Sequence, residues 1–131
     1  TTNLRSSIDP AFMRRFHVLV DFPFPYADET LPLLHLHLPP RAPRGADIDL
    51  ELVSESMRLT GASIENAALH AAYAAAAQRQ PILMRHVVNG IWNELSKEGS
   101  GRSLRQLGPL ARWIEEQSDV EDRPADTQAA A

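Results

Sequence analysis

Thr60-Gly61-Ala62-Ser63-Ile64-Glu65-Asn66-Ala67-Ala68-Leu69-His70-Ala71-Ala72-Tyr73-Ala74-Ala75-Ala76-Ala77, residues 60–77, is the stretch whose pattern decides the fold. Nine alanines fall between positions 62 and 77, and alanine has the highest intrinsic helix propensity. Ile64, Ala67, Ala68, Ala71, Ala72 and Ala75 recur at the i, i+3, i+4 spacing of one helix face. Thr60 is a good N-cap, because its hydroxyl can accept from a free N–H of the first turn. The spacing predicts a helix from about Gly61 to Gln78, with a surface so thin that neighbouring helices can pack close against it.

The pattern stays helical on both sides. Upstream, Asp49 is placed to cap a helix that carries Leu50, Val53 and Met57 on one face and ends near Leu59. Downstream, Pro81 breaks the chain. Met84, Val87, Val88, Ile91, Trp92 and Leu95 then trace an apolar stripe up to Gly99-Ser100-Gly101. A shorter helix from Asp28 to Leu38, with Leu31, Leu34 and Leu38 on one face, completes a bundle of four helices joined by loops of ordinary length. Leu104, Leu107, Leu110, Ala111 and Ile114 predict one more helix, interrupted or started afresh at Gly108-Pro109. Past Gln117 the sequence has too little apolar surface to offset ordering entropy, and disorder is expected.

The first 45 residues are different. Seven of the ten prolines lie there, at positions 10, 23, 25, 32, 39, 40 and 43, which excludes long uninterrupted helices. Asp9-Pro10-Ala11-Phe12-Met13 carries the N-cap and first-position proline of a short helix. After it, His17-Val18-Leu19-Val20-Asp21-Phe22, stopped by Pro23, has the apolar, β-branched character of a buried strand in a parallel sheet. One strand cannot make a sheet, so its neighbours are expected outside this stretch.

Composition bounds the function. The 131 residues are 44% hydrophobic and 23% charged, which fits a globular chain with a modest core. The absence of cysteine removes disulfide scaffolds, thiolate metal sites and cysteine nucleophiles. No apolar run approaches the roughly 18 residues that span a bilayer, so the expectation is an intracellular, cytoplasmic protein without a membrane partner. The chain begins Thr1-Thr2-Asn3 without an initiator methionine, and is expected to have been processed or, the favoured reading, cut from a longer protein. The net charge of -4 is unevenly spread, because residues 115–131 hold Glu115, Glu116, Asp119, Glu121, Asp122 and Asp126 against Arg123 alone. A near-neutral body with an acidic tail offers no basic stripe for nucleic acid.

Most constellations that carry chemistry are weak or missing. His35-Leu36-His37 places two imidazoles about 200° apart on a helix, with no third ligand spaced to help, so no metal site is expected. No Gly-x-Ser-x-Gly elbow supports a serine nucleophile, and no Gly-x-x-x-x-Gly-Lys-Ser/Thr loop cradles a triphosphate. Arg14-Arg15 stands out. Two adjacent guanidinium groups at the end of a short helix are poor packing residues, but they are well suited to reaching a phosphate across an interface. A surface ion pair is the plainer explanation of the same residues.

The order of these features resembles the AAA family of ATPases. Asn3, then Ile8-Asp9-Pro10-Ala11-Phe12-Met13-Arg14-Arg15-Phe16, then the apolar run and Phe22-Pro23-Phe24-Pro25, is similar to the end of that family's nucleotide-binding core. Ala46-Asp47-Ile48-Asp49-Leu50 and Leu59-Thr60-Gly61-Ala62-Ser63-Ile64-Glu65-Asn66-Ala67 resemble the start of its helical lid. Pro81-Ile82 with His86, Glu94 and Lys97 resembles its last helix. The likeness covers about residues 1 to 100 and points to a bacterial, single-ring, remodelling subgroup.

The resemblance implies a mainly α chain in which a four-helix AAA-type lid follows a short, strand-containing remnant of the α/β core. Residues 1–25 would be the end of the core, 26–100 the lid, and 101–131 an extra helix and acidic tail. It implies that Asn3 is sensor 1, orienting the attacking water, although an asparagine there also suits a turn. Arg14 and Arg15 match the paired arginines that reach in trans to ATP on the adjacent subunit of a hexameric ring. The family's common Pro-Gly spacer between them is missing, which leaves open which one is the finger; Arg15 is favoured. Asp9 matches the acidic position supporting that loop, and also serves as a plain N-cap. Gly61 and Ala62 match the small pair on which adenine and ribose lie, with a tight turn as the alternative. Met57 approaches the base or is simply core. The cofactor implied is ATP with Mg2+, whose metal ligands lie outside this chain, and the partner implied is a remodelled protein substrate. The chain has no sensor 2 arginine, and Thr30-Leu31-Pro32 replaces a charged helical stretch, so the first lid helix is expected to be shortened.

Overall fold

The computed structural model describes residues 5–97 and 103–114. A 3₁₀ turn at Arg5–Ser7 is followed by α1 (Pro10–Met13), α2 (Ala27–His37), α3 (Leu50–Ser56), α4 (Gly61–Ala77) and α5 (Met84–Lys97). A 3₁₀ segment, Leu104–Ala111, follows, and residues 112–114 continue it as a last helical turn. The helix-rich bundle expected from the periodicity is therefore formed.

Each helix starts where a side chain can satisfy its first-turn N–H groups. Asp9 accepts from the Ala11 N–H at 2.8 Å and opens α1. Asp49 accepts from Leu52 at 2.9 Å and opens α3. Thr60 accepts from Ser63 at 3.1 Å and opens α4. At the start of α2, Glu29 reaches back to accept from the Tyr26 N–H at 3.0 Å. Pro32 sits inside α2 without breaking it, and the helix runs its full 11 residues. This agrees within one residue at each end with the helix expected over Asp28 to Leu38. Pro39-Pro40 follow its C-cap, Leu38, and the Arg44 guanidinium donates to the Leu38 carbonyl at 2.9 Å, satisfying an orphan acceptor of the last turn. Helix α3 is shorter than expected and stops at Ser56 with Met57 as its C-cap.

The end of α4 is a six-to-one turn. The Gln80 N–H donates to the Ala75 carbonyl at 3.1 Å and the Arg79 N–H to Ala76 at 3.0 Å. This Schellman arrangement requires a left-handed residue, and Arg79 takes it with φ 55°. Gly108 supplies the other positive φ among the described residues, 51°, at the kink that the Gly108-Pro109 pair was expected to produce.

Helix α2 packs on α3 and α4, α4 on α5, and the Leu104–Ala111 segment bridges α5 to α3. The elements thus close a ring around one core. Ile64, Ala67, Ala71 and Ala75 of α4 face Met84, Val87, Val88 and Ile91 of α5 across it, and all are buried. Leu107 and Leu110 belong to the same core and are fully buried. Burying side chains of this size is worth about 1.5–3 kcal/mol each. Thr30, inside α2, is the one buried side-chain polar atom without a hydrogen-bond partner among the described residues.

The loop between α2 and α3 ties this ring to its last helix. The Ile82 N–H donates to the Pro43 carbonyl and the Gly45 N–H to the Ile82 carbonyl, each at 2.8 Å. They form an isolated parallel bridge, Arg44 with Ile82. Among the described residues there is no β-strand. The strand expected over 17–22 is not formed, because a strand exists through its ladder and no neighbour is present to supply one. Val18 is 74% exposed and Phe22 87%. Helix α1 likewise packs on none of the other helices.

Candidate functional site

The residues singled out from the sequence fall into two groups. Arg14 is the C-cap of α1 and Arg15 follows it, both exposed. Their position comes from Asp9 and Pro10, which start the helix, and from its ending after a single turn, where Arg15 N–H bonds back to Phe12 at 3.0 Å. Neither arginine makes an ion pair or side-chain hydrogen bond with another described residue, so the surface ion pair considered above is not seen among those residues. Arg15 lines an open hollow of about 360 Å³ with Ile8, Asp9, Ala11 and Phe12. Phe12 meets Phe16 edge-on with ring centroids 5.3 Å apart, which holds the polypeptide after Arg15 back against α1.

The second group is the start of α4. Gly61 and Ala62 are its first two residues. The Thr60 hydroxyl occupies the Ser63 N–H and the Thr60 carbonyl takes Ile64, which leaves the Gly61 and Ala62 N–H groups without a partner among the described residues. A Cβ built on Gly61 would meet nothing within 4 Å. The surface there is open, with the partial positive charge of a 17-residue helix behind it. Such an end can receive an anion. Met57 is only 7% exposed and packs in the core, which accounts for it without a ligand. Asn3, the expected sensor 1 residue, lies outside the described residues, as do the Gly99-Ser100-Gly101 punctuation and the acidic tail. No hydrogen bond or ion pair joins the arginine pair to the start of α4 among the described residues.

His86, Glu94 and Lys97 were singled out only as parts of the last helix, and the structure gives each a setting. His86 is buried and stands three residues after Leu83, whose N–H donates to His86 Nδ1 at 3.0 Å. With Nδ1 accepting, the proton is on Nε2, which donates to Gln78 Oε1 at 3.0 Å. Gln78 Oε1 also accepts from Arg85 at 3.2 Å. Burial lowers the pKa of His86, the adjacent Arg85 lowers it further, and Asp47 acts the other way. Asp47 itself accepts from the Met84 N–H at 3.1 Å. The first turn of α5 is thus satisfied by a histidine from within and a carboxylate from 37 residues upstream. Glu94 accepts from Asn66 at 3.2 Å and pairs with Lys97.

Sequence patterning did not indicate a groove of about 590 Å³ along the outer side of α4 and α5, lined by Leu69, His70, Tyr73, Asn93 and Lys97 among others. Asn93 and His70 bridge it with a 2.8 Å hydrogen bond. The exposed Leu69 and Tyr73, four residues apart, were the available signal. Among the described residues no three His, Asp or Glu side chains cluster closely enough to hold a metal ion, and no helix is long and apolar enough to cross a membrane.

No protein-family model matches the sequence. No curated protein matches it either.

Proposed function

We propose that this chain supplies sensor 1, trans arginine fingers and the helical lid of a bacterial AAA ATPase. Such an enzyme couples ATP binding and hydrolysis in an oligomeric, hexameric cytoplasmic ring to the remodelling of protein substrates. The observation that carries the reading is the state of Arg14 and Arg15. Two permanently charged forks stand exposed, without intramolecular ion pairs among the described residues, on a helix that packs against nothing in the bundle. A residue meant to serve a neighbouring subunit needs that freedom. In this reading Gly61 and Ala62 lie under adenine and ribose, and the unsatisfied N–H groups and open space at the start of α4 support it.

The group the reading implies is ATP with Mg2+. When bound it supplies the scissile phosphoryl bond. The residues of this chain would orient water from Asn3, neutralise developing charge from Arg14 or Arg15, and seat the base at Gly61-Ala62. An arginine acting this way is worth about 10³ to 10⁵ in rate. The test is to replace Arg14 and Arg15 singly by alanine in the parent ring. The finger variant should lose turnover by about a thousandfold or more while its hexamers persist. Undiminished turnover in both variants, with intact hexamers, overturns the assignment.

A second reading is a non-catalytic helical interaction module derived from such a lid. It is favoured by the closed ring of α2 to α5 and the Leu104–Ala111 segment, which buries its core with no help from an ATPase domain. The same variants separate the two, since a parent that hydrolyses no ATP has no finger to lose.

A further inference from the structure

We propose that the stretch Phe16–Phe22 is a self-complementary edge through which two copies of this chain pair as antiparallel strands about Leu19. The sequence Phe16-His17-Val18-Leu19-Val20-Asp21-Phe22 is a near-palindrome in its side-chain chemistry. In the antiparallel register that sets Leu19 opposite Leu19 of the second copy, every position meets a suitable partner. Val18 faces Val20, Phe16 faces Phe22, and His17 faces Asp21. Each pair occurs twice by two-fold symmetry, as an isologous interface requires.

Aromatic, β-branched and hydrogen-bonding polar cross-strand pairs are combinations that stabilise antiparallel strands. The His17–Asp21 match, an imidazole N–H donating to a carboxylate, fixes direction and register. A parallel, in-register pairing would set His17 on His17 and Asp21 on Asp21, and a shift by one residue would move the apolar set to the other face. Asp21 need not be free for this, since it already has an interaction within its own chain and a carboxylate has about four acceptor sites.

The structure leaves this edge available. The stretch is in no helix or strand, and Phe16, Val18, Leu19, Val20 and Phe22 are all exposed. Its length is bounded on one side by the last turn of α1, where Phe16 N–H bonds to Met13, and on the other by Pro23, which cannot extend a ladder. Seven residues is a normal strand length. Phe16, Val18, Val20 and Phe22 share one face by the two-residue period. Phe12 of each copy, already edge-on to Phe16, begins to cover that face. A two-stranded ribbon without such cover is marginal. The inference concerns the 131-residue chain by itself and does not rest on the ATPase reading, in which the same stretch would instead pair within the parent's core sheet.

The test uses the 131-residue chain. Sedimentation equilibrium should show a monomer–dimer equilibrium that Leu19→Lys, which sets two like charges opposite each other, weakens by about tenfold or more. Because the chain has no cysteine, register can be read directly. Leu19→Cys should cross-link to itself on mild oxidation, Val18→Cys and Val20→Cys alone should not, and a mixture of those two should. A monomer at every soluble concentration overturns the proposal. So does a dimer that Leu19→Lys leaves intact, or equal self-cross-linking at positions 18, 19 and 20.

Discussion

Gly90 of α5 lies directly on the backbone of Ala67 in α4. A Cβ built on Gly90 would stand 2.4 Å from the Ala67 carbonyl oxygen and 3.0 Å from its Cα. Glycine in a helix interior costs about 1 kcal/mol relative to alanine, and here its missing Cβ lets the two helices cross at backbone contact. The thin alanine surface of α4 and the glycine of α5 are therefore two halves of one close approach.

Gly90→Ala should destabilise the bundle by about 1–3 kcal/mol despite the gain in helix propensity, because the obstacle is backbone and cannot rotate away. Urea unfolding followed by circular dichroism measures it. A stability equal to or above that of the parent would show that α4 and α5 can separate at little cost.

His86 should make the bundle sensitive to acid. Its folded-state pKa is lowered, so in the interval between that value and the ordinary 6.5 the unfolded chain binds a proton that the folded one does not. The stabilisation is fully present above about pH 6.5 and is lost as pH falls through the folded value. Protonation also places an N–H on Nδ1 facing the Leu83 N–H. The urea midpoint should fall as pH drops below that of ordinary histidine, and less so in His86→Gln. Parallel pH profiles for the two proteins would refute the role.

Arg79 holds the left-handed position at the end of α4. Glycine reaches that conformation without the Cβ strain of about 1–2 kcal/mol. Arg79→Gly is expected to raise stability by up to about 1 kcal/mol, the greater freedom of the unfolded chain offsetting the rest. Thermal unfolding would check this, and a lowered midpoint would contradict it.

The chain by itself should hydrolyse no ATP above background, because it carries no Gly-x-x-x-x-Gly-Lys-Ser/Thr loop. A coupled phosphate-release assay decides it. Turnover that Arg14→Ala abolishes would mean that the chain holds a nucleotide by other means.

Much of the fold was legible in the residues because the signals are local. Asp9, Asp49 and Thr60 announce their helices within three positions, and the stripe from Met84 to Leu95 repeats at the helical period over a long enough run to be unambiguous. The apolar run at His17–Phe22 has strand character but forms no strand here, since strand propensity says nothing about whether a partner strand is at hand. The helix expected through Pro32 is formed; packing of Leu34 and a well-satisfied first turn hold α2 together across it. Of the site residues, the sequence pointed to the arginine pair and to Gly61-Ala62, but not to whether those arginines would find partners.

Asp47 and Asp49 show where the division lies. That Asp49 would cap α3 follows from its place just ahead of Leu50, because an N-cap bond spans three residues and needs nothing else. That Asp47, two residues earlier, caps α5 instead could be decided only by the tertiary structure. The bond depends on the Arg44–Ile82 bridge carrying the carboxylate to a helix that begins 37 residues later, and no local spacing encodes a distance of that kind.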